Sequence, residues 1–190
     1  MSRFLTIPVW LFLIFFPALF PLQAEGLQTI SGPEVRLVNN EIYVSFTFQP
    51  EEKAVQEIQD GMDKEFRLYA DLFRVWKNWP NEFVLGKFFV RTLKSDPIKK
   101  EYLMSSFDGQ TITEKRFRSF ESMMSGALAV KDLRLTSTRE LEPGQYFVRI
   151  TVESKIRTLP PLIGHILIFV QDSEFKIKKD SGIIMIEAPR

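Results

Sequence analysis

The stretch of sequence that decides the fold is KEFRLYADLFRVWKNWP, residues 64–80. Apolar and polar side chains alternate across Phe66–Leu72, which is the period of a β-strand with one buried face. The apolar phase then moves by one residue, to Phe73 and Val75, and a β-bulge produces such a shift. The stretch therefore predicts one long β-strand with a bulge near Asp71–Phe73.

Three turn signals follow this strand and divide the next part of the chain. They are Asn78-Trp79-Pro80-Asn81, Ser95-Asp96-Pro97 and Asp108-Gly109, and the last is a typical hairpin dipeptide. Short turns between alternating runs join neighbouring antiparallel strands. The sequence therefore predicts a meander, with strands over about residues 64–76, 82–93 and 98–107 and a last strand that ends near Lys115.

Other strands are predicted on both sides of the meander. Asn39-Asn40 separates Glu34–Val38 from Glu41–Phe48, and asparagine tolerates the positive φ angles of a tight hairpin turn. The run LIGHILIFV, residues 162–170, is apolar throughout, so its period cannot distinguish a buried strand from a short helix. Further short strands are predicted over residues 133–138, 145–156, 174–178 and 183–186.

Two helices interrupt the β pattern. Pro50 fits the first position of a short helix, and Gly61 is a natural stop for it. A longer helix is predicted over Ser119–Val130, with Ser119 as its N-cap and apolar residues at helical spacing. The methionines of this second helix, Met123 and Met124, are interpreted as core residues.

The whole pattern is mainly β and belongs to the α+β class. It predicts a single antiparallel β-sandwich-like or curled sheet with two short-to-medium helices on one side. Residues 25–190 contain no internal repeat and no low-complexity linker, and their length suits one hydrophobic core. We therefore expect them to form one domain.

The first 24 residues have the order of a secretory signal. A short basic start, Met1-Ser2-Arg3, precedes the apolar run Phe4–Leu22, and Ala24 precedes the polar chain. This order predicts a signal peptide, residues 1–24, that is cleaved after Ala24. An uncleaved membrane anchor is the alternative, because the apolar run approaches the length that spans a bilayer. In both cases the segment engages the membrane during export, and residues 25–190 are expected in the periplasm.

Composition excludes several kinds of chemistry. Lys and Arg number 25 against 24 Asp and Glu, a net charge of +1, so the chain lacks the positive charge on which general nucleic-acid binders depend. Cysteine is absent, which excludes disulfides, thiol nucleophiles and thiolate metal sites. The single histidine, His165, lies in an apolar run, where a packing role is more common than catalysis. No cofactor and no metal site are predicted.

A carboxylate-dependent hydrolase is the catalytic alternative. It would pair Glu51 with Asp63 or Glu65, but nothing in their spacing brings these groups together in a cleft. Asp60, Asp63 and Asp71 lack the alternation of a calcium loop and are interpreted as solvated surface residues. We therefore expect a binding or accessory protein, not an enzyme.

The most distinctive candidate site is the end of the long strand. Arg74, Trp76, Lys77 and Trp79 bring two indoles and two cations to one turn, and tryptophan and arginine dominate binding hot spots. These residues are predicted to bind a partner protein. In one alternative, the indoles close an end of the sandwich and only the cations meet solvent. In another, the protein holds a lipid or small ligand in an apolar cavity between its sheets.

Several stretches together resemble one bacterial family. They are RLYADLFRVWKNWP (67–80), VLGKFFVRTLKSDPIKKEYLMSS (84–106), SFESMMSGALAV (119–130) and YFVRITVESKIRTLPPLIG (146–164). In the order and spacing of these stretches, over roughly residues 34–180, the chain resembles the exported proteins grouped as domain of unknown function 4390.

This resemblance implies a place in the cell envelope. Many members are encoded beside a membrane sensor histidine kinase of the nitrogen-regulation type, so the resemblance also implies a link to two-component signalling. An envelope or membrane protein such as that kinase is the partner it suggests. It supplies no catalytic residue.

Export is testable without any structure. Cell fractionation is expected to recover the protein in the periplasmic fraction, and N-terminal sequencing should start at Glu25 because cleavage follows Ala24. A membrane-bound product that starts at Met1 or Ser2 would support the uncleaved anchor instead. A cytosolic protein would contradict export altogether.

Overall fold

The computed structural model describes residues 27–155 and 173–187. The predicted signal segment and the apolar run that contains His165 lie outside the described residues. The described strands are β1 (Thr29–Val38), β2 (Glu41–Gln49), β3 (Lys64–Val75), β4 (Glu82–Asp96), β5 (Glu101–Phe107), β6 (Ile112–Phe117), β7 (Ala129–Ser137), β8 (Gly144–Lys155), β9 (Ser173–Asp180) and β10 (Ile184–Ile186). The helices are α1 (Glu52–Gln59) and α2 (Phe120–Leu128), with one turn of 3-10 helix at Thr138–Glu140.

These strands form two antiparallel sheets. The smaller sheet has three strands in the order β1-β2-β7. The larger has seven strands, in which β10, β8, β3, β4, β5 and β6 are neighbours in that order, and β9 pairs with another part of β8. The predicted meander is confirmed as β3–β6, and the mainly β, sandwich-like fold of the α+β class is confirmed with it.

The asparagine hairpin is confirmed. Asn39 and Asn40 join β1 to β2 with φ angles of 52° and 63°. Both values lie in the left-handed region, which asparagine enters more readily than most residues. Ile42 and Val44 follow on β2 and are completely buried, so the turn sets which face of β2 meets the core.

The second helix begins at its predicted N-cap. The Ser119 hydroxyl accepts a hydrogen bond from the backbone N–H of Ser122 at 3.2 Å, and the Ser122 hydroxyl accepts one from the backbone N–H of Ser119 at 3.2 Å. The helix ends at Leu128, earlier than the predicted Val130, because the chain continues directly into β7.

The first helix is also shorter than its sequence limits. Its N-cap is Glu51, so Pro50 precedes the helix instead of opening it. Neither helix, and no other in the described part of the chain, has the length and apolar character needed to cross a bilayer.

The core lies between the two sheets. Strand β3 presents Phe66, Leu68, Ala70 and Leu72 to it, and all four are completely buried. From the smaller sheet and the second helix come further buried side chains: Ile42, Val44, Phe46, Phe48, Met123 and Ala127. Met123 is thus a core residue as predicted, and Met124 packs on the core from a partly buried position.

A β-bulge lies beside the predicted place, but it belongs to β4 and not to β3 as predicted. In the pairing of β3 with β4, Leu72 lies opposite Leu85, whereas Phe73 lies opposite Phe83. The extra residue is therefore Val84, on β4. Strand β3 itself pairs with β8 without interruption. The one-residue shift of the apolar phase in β3 thus has another cause, which is apolar packing on the outer face of the larger sheet.

The capping box predicts a stability change that a matched variant can isolate. Replacing the cap, Ser119→Ala, should lower the free energy of unfolding by about 1 kcal/mol, because a backbone N–H at the start of α2 loses its acceptor. Urea unfolding followed by circular dichroism measures this change. Ser125→Ala, the same substitution at an exposed position within α2, should leave stability unchanged or raise it slightly, because alanine has the higher helix propensity. Equal losses in both variants would contradict a capping role.

Candidate functional site

Strands β3 and β4 meet in a turn that carries the predicted site. We call residues 74–84 the hairpin tip; it contains Arg74, Trp76, Lys77 and Trp79. The end of β3 and the start of β4 are paired up to Arg74 and Glu82. Because these positions are held by sheet hydrogen bonds, the turn between them projects from an ordered base.

Both indoles of the hairpin tip are exposed. Trp79 is 78% exposed and Trp76 is 41% exposed. Lys77 is exposed as well and has no ion-pair partner among the described residues. The structure therefore does not match the alternative in which the indoles close one end of the sandwich.

Trp76 is nevertheless held in place. Its Nε1 donates a hydrogen bond to the Glu82 carboxylate at 3.0 Å. The guanidinium carbon of Arg74 lies 4.3 Å from the centre of the indole ring. A cation at this distance is attracted to the ring face. The orientation of Trp76 is thus fixed by groups of the hairpin itself, and it presents an ordered apolar surface.

The sequence suggests that Arg74 is an exposed cation beside the indoles, but the structure places it differently. Its side chain is only 17% exposed and forms an ion pair with Glu142. It also donates a hydrogen bond to the carbonyl of Pro143 at 3.2 Å. The hydrogen bond to Glu142 raises the pKa of the Arg74 guanidinium above its ordinary value. Arg74 therefore ties the hairpin tip to the segment before β8, and Lys77 supplies the free positive charge.

A buried tyrosine also anchors the segment before β8. The Tyr146 hydroxyl donates a hydrogen bond to the carbonyl of Glu142 at 2.7 Å. Burial raises the pKa of this hydroxyl, so it keeps its proton and remains a donor at neutral pH. Glu142 is thus held by its backbone while its carboxylate receives Arg74.

The sequence interpretation missed two apolar residues of the hairpin tip. Phe83 and Val84 are exposed at the start of β4. The Phe83 ring packs edge-on against Phe73 at 5.8 Å, and Phe73 stacks on Phe147 at 5.3 Å. The signal for this outer-face cluster was the move of the apolar phase to Phe73, which indicated apolar packing on the second face of β3.

The carboxylates of the hydrolase alternative have different surroundings. Asp63 forms an ion pair with Lys94 at 2.9 Å, and Glu65 forms one with Arg67 at 3.2 Å. Glu51 occupies the N-cap position of α1, where its side chain makes no capping hydrogen bond. Within residues 27–155 and 173–187, no cluster of three acidic or histidine side chains could hold a metal ion.

Asp71 corrects one sequence interpretation. Asp60 and Asp63 are exposed as expected, but Asp71 is half-buried on the outer face of the larger sheet. Burial raises the pKa of its carboxyl, while the positive charges of Arg149 and Lys178 act in the opposite direction.

The fold and the hairpin tip define a β-rich domain with an exposed aromatic turn on a rigid sheet. The family model for a domain of unknown function, DUF4390, matches residues 28–181, and the chain belongs to this family. The suspected resemblance is thereby confirmed. No curated protein and no solved structure matches the chain.

The two indoles should behave differently in solution. After removal of the signal segment, Trp76 and Trp79 are the remaining tryptophans, so Trp76→Phe and Trp79→Phe each leave a single fluorophore. The Trp79 that remains in Trp76→Phe should be quenched more strongly by acrylamide, because Trp76 is partly covered by Arg74. Equal quenching constants would contradict the described hairpin tip.

Proposed function

We propose that this protein is an exported bacterial envelope domain that binds another envelope protein through the hairpin tip and performs no catalysis. The observation that carries the proposal is the exposure of both indoles on a turn whose base is held by sheet pairing. Trp76, Trp79 and Phe83 together offer apolar area of the kind that forms the centre of protein interfaces.

Order in the free protein favours binding at this surface. Side chains that must be immobilised on binding lower the affinity, because their conformational entropy is lost. Trp76 is already held by Glu82 and Arg74, and Arg74 by Glu142. Part of the loss of side-chain conformational entropy therefore occurs when the domain folds and not when the partner binds.

The position of the hairpin tip supports binding to a partner at a distance from the point where the N-terminal segment joins the domain. Phe48, which pairs with Ile30 near the start of β1, contacts Phe66 at 5.3 Å near the start of β3. Trp76 lies ten residues beyond Phe66, which corresponds to about 33 Å of extended strand. The start of β1 and the hairpin tip therefore lie near opposite ends of β3.

The chemistry of the hairpin tip restricts the partner surface. Lys77 is the free cation beside two exposed indoles, so a complementary surface combines an apolar pocket with a carboxylate. The extracytoplasmic region of a membrane sensor histidine kinase is the partner that we propose, in line with the signalling link that the family resemblance implies. In that role the domain acts as an accessory module of two-component signalling.

The absence of catalysis belongs to the same proposal. Asp63 and Glu65 each have a cationic partner. General acid–base catalysis needs convergent groups with opposed pKa shifts in one cleft. The described carboxylates offer no such convergence.

Crosslinking in living cells tests the proposed interface. A photoreactive phenylalanine derivative at position 78, between the two tryptophans, should capture one membrane protein, which mass spectrometry identifies. Adding Trp79→Ala should reduce capture by about tenfold or more, because loss of a hot-spot tryptophan costs more than about 1.4 kcal/mol.

Ile98→Ala supplies the matched control. Ile98 is also an exposed apolar residue in a turn, but it lies in the connection from β4 to β5, beyond the other end of β4. Its replacement should leave capture unchanged. Capture that survives Trp79→Ala in a folded domain would move the interface elsewhere, and capture of a cytosolic protein would contradict the envelope role.

A further inference from the structure

A groove crosses the outer face of the larger sheet, away from the hairpin tip. Residues at alternate positions of β3 face the core, so those between them face outward. The groove has a volume of about 440 Å³, within the range of about 300–1,000 Å³ that is typical of small-ligand sites. Outward-facing residues of β3, β4, β5 and β6 line it.

One half of the groove is formed by the aromatic rings of Tyr69 and Phe88, which we call the aromatic shelf. Tyr69 and Phe88 are cross-strand partners, and their rings stack with centroids 6.3 Å apart and planes inclined by 26°. Phe107 and Ile112 continue this apolar surface on the neighbouring strands. Phe88 is exposed, although large aromatic side chains usually contribute their area to cores or to binding surfaces.

The turn beside the shelf is fixed. Gly109 has a φ of +97°, and a Cβ atom there would lie 3.3 Å from the ring of Phe88. The Asp108 carboxylate accepts hydrogen bonds from the backbone N–H groups of Gln110 and Thr111 at 3.0 and 2.8 Å. The shelf is therefore bordered by a turn that is formed before any ligand arrives.

The other half of the groove is polar. Arg67 uses its Nε to donate to Glu65, and its two terminal nitrogens have no partner among the described residues. The Thr92 and Ser105 hydroxyls also make no hydrogen bond within the described part of the chain. Both residues line the groove, so a polar group from outside the chain can pair with their hydroxyls.

We propose that the groove binds a saccharide. A pyranose ring has one face of C–H groups, which suits the shelf of Tyr69 and Phe88, and a rim of hydroxyls, which can pair with Arg67, Thr92 and Ser105. An acyl chain would leave the polar half unpaired, and a small anion would leave the shelf uncovered. The saccharide site is independent of the proposed interface at the hairpin tip.

The test uses the exported chain, residues 25–190, and three neutral oligosaccharides as probes: chitotetraose, cellotetraose and maltotetraose. Nuclear magnetic resonance titration should show saturable shifts for at least one probe, confined to amides of β3–β6. Phe88→Ala and Thr92→Val should each weaken that binding, Phe88→Ala by about tenfold, because stacking and hydroxyl pairing are lost separately.

Phe83→Ala is the matched control. Phe83 is also an exposed phenylalanine on β4, but it belongs to the hairpin tip and not to the groove. Its replacement should leave saccharide binding unchanged, and Phe88→Ala should leave crosslinking from position 78 unchanged. Failure of the groove and failure of the hairpin tip are therefore separate results.

Three outcomes would overturn the proposal. The first is the absence of saturable binding of all three probes up to about 10 mM, weaker than the millimolar range of the poorest specific ligands. The second is full binding by Thr92→Val, which keeps the volume of the side chain and tests the groove even if Phe88→Ala does not fold. The third is binding of sodium decanoate at the same amides without saccharide binding, which would assign the groove to an amphiphile.

Discussion

Strand β3 is hydrogen-bonded on both sides, to β4 and to β8, and the other features of the domain depend on this double pairing. Its inner face supplies Phe66, Leu68 and Leu72 to the core, where each is completely buried. A strand paired on both sides and buried on one face has its register strongly fixed. The outer side chains of β3 and the turn at its end are therefore held in place by interactions made elsewhere in the strand.

The larger sheet uses its two faces differently. Its inner face is covered by the smaller sheet and α2, whereas no described element covers its outer face. On an open face polar residues are the usual pattern, yet Tyr69, Phe73 and Phe88 lie there. Folding alone does not require aromatic side chains on this face. Their presence on a rigid sheet is the reason why we place both proposed binding sites on the outer face and on the hairpin tip at its end.

The two cations of the hairpin tip, Arg74 and Lys77, differ in their ion pairing. Arg74 and Lys77 carry the same charge, but Arg74 is paired with Glu142, far away in sequence, whereas Lys77 has no ion-pair partner in the part of the chain that the structure describes. The guanidinium also covers part of Trp76. One arginine thus orders an indole and joins two segments at the same time. This explains how a turn rich in large apolar side chains can be exposed and still be ordered.

Local features of the chain were readable from the sequence because they depend on neighbouring residues. The strand alternation of residues 66–72, the Asn39-Asn40 hairpin and the Ser119 cap are set by backbone preferences and short-range hydrogen bonds. For the same reason, the sequence indicated the β-rich class and the meander. The family resemblance, which rested on the order of such stretches, was equally accessible.

Only the tertiary structure decided which side chains are exposed at the surface and which partners they have. The pairing of β8 and β9 beside β3, the bulged residue Val84 and the partner of Arg74 all involve residues far apart in sequence. The sequence could not decide whether Trp76 and Trp79 would be exposed, because an indole at a strand end can either pack on the core or contact solvent. The sequence alone determined that the apolar phase of β3 moves at Phe73, but this shift was interpreted as a bulge and not as apolar packing on the second face. Which face would be covered depended on contacts that exist only when distant strands have paired.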